Sequence, residues 1–204
     1  MPPKRRADPE PPAEFRLARD LPVGRHPLLT VFPGLDRLPP AARIERDPAK
    51  RERLFRQTKI ELVDQDMWMY VSPREMPTTP RRRGWAPVVS PDEDCIVVGI
   101  GHLRDSPAMI LYLDIYHELC HVIQRRDGAN LWEPGISYVE RWTEIEAYRF
   151  VVQEAKGLGV EESYIREYLK VEWISDEEHS QLLAAVGVRT PVRTRGARGG
   201  APST

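Results

Sequence analysis

The sequence predicts an α+β domain, on three observations. Short β-prone runs crowd the first half, helical periodicity fills the second, and His117-Glu118-Leu119-Cys120-His121 lies in the most apolar helical stretch between them. At 204 residues the chain is one ordinary domain's length or slightly more, and 41% apolar residues supply a core. A net charge of -1 argues against a dedicated nucleic-acid binder. Two cysteines, Cys95 and Cys120, make no disulfide framework. Cys120 reads as a small buried packing residue. The start, Met1 to Arg6, is basic, and no apolar run follows it. The expectation is therefore no signal peptide, no membrane span and a cytoplasmic protein.

Residues 1–14 are Pro-rich and charged, which predicts a disordered tail. A single domain is expected over 15–188, with its core at about 58–158. Phe15, Leu28, Leu29, Val31 and Phe32 are scattered among prolines, as in an extended segment wrapping a domain. Asp47-Pro48 starts a polar helix to about Gln57, with Lys50, Arg51, Arg53 and Arg56 on a solvated face. Strands are expected at Ile60 to Val63, Met67 to Val71 and Trp85 to Val89. The loop Arg81-Arg82-Arg83 reads as solvated, with an acidic substrate or partner as its functional alternative. Cys95 to Ile100 is nearly all apolar and predicts a covered strand, with His102 in the turn beyond it.

Ser106 and Pro107 have the types of an N-cap and first helical residue, and Asp127-Gly128 those of a stop. Between them Met109, Leu113, Tyr116, Leu119 and Val122 help make a helix apolar on most sides, hence buried. After a loop, Thr143 and Glu146 have capping-box spacing for a helix to Gly157 or Gly159. Two further helices follow, Glu161 to Lys170 and Asp176 to Val186, the latter capped by Ser175 and stopped by Gly187. Residues 189–204 carry Arg189, Arg193, Arg195 and Arg198 and no acid, which predicts a disordered basic tail.

The chemistry centres on His-Glu-x-x-His. Residues four apart share a helix face, so His117 and His121 can reach one zinc ion, with Glu118 beside them to take a proton from water. Polar groups in a buried helix need partners, and a metal supplies one. Zinc in a hydrolase takes three protein ligands and keeps one position open. One route to the third is Asp127, six residues after His121. That route turns the chain at a Gly where this sequence has Gln124; a helix running on carries Asp127 about 9 Å along its axis. The other route is a glutamate from the next helix: Glu144 or Glu146, with Glu140 behind. If Glu146 closes the capping box, Glu144 is free to face the first helix, on the stripe it shares with Ala147, Tyr148 and Val151.

His117-Glu118-Leu119-Cys120-His121 followed by Glu144-Ile145-Glu146-Ala147-Tyr148-Arg149-Phe150 resembles the gluzincin metallopeptidases, and is most similar to the small ImmA/IrrE-like group. The resemblance covers about 94–156. It implies a zincin-like fold: a small mixed sheet packed on the zinc helix, with a glutamate helix alongside. It implies His117, His121 and Glu144 as metal ligands and Glu118 as the catalytic glutamate. Tyr148 departs from the pattern, standing where many relatives carry Asp or Asn. No helix-turn-helix partner domain accompanies the motif, and the C-terminal helices are extra to it.

The expectation is peptide hydrolysis of a peptide or protein substrate, with Zn2+ as cofactor, and no nucleic acid or membrane as partner. Tyr138, Arg141, Tyr148 and His102 are candidates for stabilising the oxyanion. Asp114 is either a carboxylate orienting a ligand imidazole or an ordinary helix-face acid. Two rival classes stay open at this level: an inactive zincin-fold binding or regulatory module, and a zinc hydrolase of a non-peptide bond. A retained Glu118 argues against the first, because a structural site has no use for a base.

Overall fold

The computed structural model describes residues 8–35, 47–65, 69–71 and 95–189. The expected strand Trp85 to Val89, the loop Arg81-Arg82-Arg83, residues 1–7 and residues 190–204 lie outside the described residues. The architecture is mixed α+β. Four strands, β1 (Gly24–Pro27), β2 (Lys59–Val63), β3 (Met69–Val71) and β4 (Cys95–Gly99), form one sheet in the order β1-β2-β4-β3. β2 and β4 run parallel, and both edge strands run antiparallel to their neighbours. The central β4, Cys95-Ile96-Val97-Val98-Gly99, is buried throughout, as its unbroken apolar run requires. β2 alternates instead, burying Ile60 and Leu62 in register with Ile96 and Val98.

The helices are α1 (Leu28–Val31), α2 (Pro48–Gln57), α3 (Ile100–Asp105), α4 (Ala108–Arg126), α5 (Trp142–Gly157), α6 (Glu162–Tyr168) and α7 (Asp176–Ala185), with a 3-10 turn at Tyr138–Glu140. The Asp47 side chain caps α2 by accepting from the Ala49 N–H at 3.0 Å. Ser175 and Glu178 close a full capping box on α7, each bonding the other's backbone N–H. α4 ends where Gly128, at φ +88°, lets the Ala129 N–H reach back to the Gln124 carbonyl at 2.9 Å.

Several local expectations are corrected. Ile100 opens α3 rather than ending β4, so His102 is a helical residue. Ser106 does not cap α4. Its N-cap is Pro107, and the Ser106 hydroxyl is spent on His102 Nδ1 at 2.8 Å. The capping box at Thr143 is absent. α5 begins at Trp142 after Arg141, Thr143 Oγ1 is buried without a hydrogen-bond partner among the described residues, and Glu146 instead accepts from the Gln124 amide. Arg51, expected on a solvated face, is buried at 7% exposure, and its charge partly opposes the burial and the Glu154 carboxylate that push the Tyr116 phenol well above its ordinary range.

The N-terminal segment wraps the helices. Phe15 stacks on Phe32 and meets Tyr112 edge-on, with ring centroids 5.7 and 5.0 Å apart. Arg19 Nη1 donates to the carbonyls of Leu103, Arg104 and Ser106, tying off the end of α3. Gly34, at φ +94°, lies so close to Glu14 that a Cβ would collide with its carbonyl oxygen, so only glycine fits there. α4 forms the floor of the core and packs along α5.

Leu113 on α4 is fully buried among these side chains. Leu113→Ala is expected to destabilise the fold by about 2–5 kcal/mol, through lost transfer energy plus a cavity. Urea denaturation of both proteins measures it.

Candidate metal centre

α4 and α5 bring three donor atoms to one point. His121 Nε2 lies 2.9 Å from His117 Nε2, and Glu144 Oε2 lies 3.2 Å from His117 Nε2 and 3.4 Å from His121 Nε2. The His117 and His121 rings meet edge-on, as one helical turn on a common face dictates. His117, His121 and Glu144 are each buried, and together they form a group able to hold a metal ion. An ion bound tetrahedrally at about 2.0–2.1 Å sets its ligand atoms about 3.3 Å apart. The observed separations fit that spacing, and two imidazole nitrogens with a carboxylate oxygen suit zinc.

The charge state of the protein groups follows from their crowding. Burial works against a charge on His121, yet the Glu144 carboxylate and its hydrogen bond outweigh it and raise the imidazole to about 9. His117 moves the other way, lowered by burial and by the neighbouring His121. Burial alone would raise Glu144, but His121 and the hydrogen bonds from both rings hold it well below the usual carboxylate range. At neutral pH the group therefore carries one extra proton, on His121, shared with an ionised Glu144. A cation occupies the same electrostatic niche as that proton.

Glu118 is buried beside this group, and its charge reaches His121 and the Tyr148 and Tyr138 phenols. Tyr148 lays its ring 4.4 Å from that of His117, and its hydroxyl shares a 2.7 Å hydrogen bond with Tyr138. Burial first, then the Glu144 charge, pushes both phenols far above their ordinary range, so both stay protonated. Two O–H groups share one hydrogen bond between them, which leaves one O–H for another acceptor. Arg141 Nη1 stands 3.6 Å from Glu144 Oε1 and backs that carboxylate with positive charge.

The remaining sequence candidates fall elsewhere. Asp127 is the exposed C-cap of an unbroken α4 and is not in the ligand group. Glu140 is exposed and accepts from Ser137. Asp114 does not orient a ligand imidazole. Its carboxylate accepts from the Tyr168 hydroxyl at 3.0 Å and pairs with His102 Nε2 at 2.8 Å. His102, with Ser106 on its other nitrogen, has both ring nitrogens engaged within that network. The residue missed in the sequence is Gln124, whose carboxamide oxygen lies 2.7 Å from His121 Nδ1. Its signal was its position, one turn beyond His121 on the same face of a buried helix.

Compared with protein-family models, curated proteins and solved structures, the chain has no significant match.

Glu144→Ala is expected to weaken zinc binding strongly and Asp127→Ala to leave it nearly intact, as read by competition with a chromogenic chelator. The opposite ranking would remove Glu144 from the site. Protons provide an independent check. Since His121 titrates at about 9 in the metal-free protein, zinc binding at pH 7 should release about one proton. That release should fade, and apparent affinity level off, as pH rises through about 9. Calorimetry in buffers of different ionisation enthalpy counts the proton.

Proposed function

We propose that this chain is a zinc-dependent metallopeptidase of zincin-like, gluzincin kind. The observation that carries the reading is the convergence of His117 Nε2, His121 Nε2 and Glu144 Oε2 with buried Glu118 beside them. Those three residues would hold the ion. Zinc, when bound, supplies Lewis acidity that acidifies water and polarises a carbonyl. Glu118 acts as general base on the attacking water and returns the proton to the leaving amine. It stands outside the ligand group, so its oxygens are not consumed by the ion. The protonated Tyr138–Tyr148 pair, in ring contact with His117, offers the spare O–H to the developing oxyanion. It is preferred over His102, which is committed to Asp114 and Ser106; Arg141, with Nη1 beside Glu144 and Nε buried without a hydrogen-bond partner among the described residues, is the second donor in reach of the group.

The substrate is a peptide or protein segment. The two buried cysteines, Cys95 and Cys120, are not joined in a disulfide, which suits a reducing cytoplasm. Among the described residues no helix is long and apolar enough to cross a membrane.

Glu118→Gln preserves shape and removes the base. The variant is expected to keep its zinc and its fold and to lose peptide hydrolysis by at least about a hundredfold. Mass spectrometry of a denatured-protein mixture, acidic sequences included, gives the readout. Cleavage at the wild-type rate by Glu118→Gln would sink the mechanism even with zinc present. Zinc binding without cleavage by either protein would favour an inactive module or a non-peptide bond instead.

A further inference from the structure

We propose that Gln124 is a positioning residue that joins the two ligand-bearing helices and sets the lone pair of His121 on the metal, through an amide-relayed link to the Glu146 carboxylate. This rests on the metal centre of the reading above and not on peptide hydrolysis.

Gln124 lies in the last turn of α4 and is 3% exposed. Its carboxamide makes three hydrogen bonds. Oε1 accepts from His121 Nδ1 at 2.7 Å, while Nε2 donates to the Thr143 carbonyl at 3.0 Å and to Glu146 Oε2 at 2.9 Å. The neighbours fix which way the amide points. Its two N–H groups face two pure acceptors, and its oxygen faces the ring nitrogen, so the reverse orientation would set oxygen against two oxygens.

Three consequences follow. Holding Nδ1–H to Oε1 leaves Nε2 as the ligand nitrogen of His121 and fixes the ring's rotation. The amide also spans from α4 to residues 143 and 146 of α5, which flank Glu144, so the same side chain helps set where the third ligand enters. Finally, the carboxylate–amide–imidazole series is polarised in one sense. Negative charge on Glu146 strengthens the carbonyl end of Gln124 as an acceptor, and with it the basicity of His121. Metal-bound histidines commonly bond a carboxylate or carbonyl directly; here the carboxylate acts at one remove. The contrast lies within the site. His117 Nδ1 is buried with no hydrogen-bond partner among the described residues, and its ring packs against those of Tyr148 and His121. One of the two imidazoles is thus tuned through hydrogen bonds and the other through packing.

The test is zinc affinity on the full chain, by chelator competition, with cobalt(II) spectra as a second readout. Gln124→Met keeps the volume and removes all three bonds. It should bind zinc about 10–100-fold more weakly than wild type, the range seen when a metal ligand loses its orienting partner. The double variant Gln124→Glu with Glu146→Gln exchanges the carboxylate and the amide, so position 124 still accepts from His121 and position 146 can donate to it, while the bond to the Thr143 carbonyl is not returned. It should bind zinc several-fold more tightly than Gln124→Met and restore the cobalt absorption bands. That rescue also separates positioning from mere folding, since it returns the bonds linking His121, position 124 and position 146 and not the original side chains. Equal zinc affinity in Gln124→Met and wild type would overturn the proposal while leaving the metal centre standing. A double variant that folds but binds as weakly as Gln124→Met would overturn the relay. A wild-type protein that binds no zinc would overturn the metal centre and this proposal together.

Discussion

Where α4 packs along α5, a carboxylate and two imidazoles are taken out of water at one point, and the rest of the architecture holds that point in place. Burying a carboxylate alone is expensive, and burying two imidazoles without partners adds to it. The three groups offset one another only at their observed spacing, with Glu144 ionised and His121 charged. A cation can satisfy all three at once, which is why the arrangement is read as a metal centre.

Two polar clamps bracket this point along an antiparallel helix pair. Near the start of α4, the Tyr112 and Tyr116 hydroxyls donate to the two oxygens of Glu154 on late α5. At the end of α4, Gln124 reaches Thr143 and Glu146 on early α5. The His117, His121 and Glu144 group lies between them. A third network closes a further side, where Asp114 joins His102 of α3 to Tyr168 of α6. α4 is thus a core helix whose polar residues reach α3, α5 and α6. Apolar contacts dominate its burial, while the hydrogen bonds fix its rotation and its register against α5.

Much of this was legible in the sequence. β2, β4, α4, α5 and α7 follow from apolar runs, helical periodicity and stop signals, because these are local properties of the chain. The i,i+4 histidine pair is equally local, since one helical turn fixes it. Glu144 was selected over Glu146 by expecting a capping box at Thr143. The structure still turns Glu144 toward the histidines, but Glu146 is occupied by Gln124 and not by the helix terminus. The two glutamates are separated by their angular offset on α5, which survives the loss of the cap.

The sequence by itself determined the two imidazoles, the carboxylate of Glu118 next to them and the burial of the helix that carries them. Helical geometry and hydrophobic patterning require nothing from distant residues. Only the tertiary structure decided the partners. It sent Asp114 to His102 and Tyr168, spent Ser106 on His102, buried Arg51, and made Gln124 the link from His121 to α5. Each of those outcomes depends on which face of another element arrives within about 3 Å, the reach of a hydrogen bond. The spacing of residues along one helix does not contain that information.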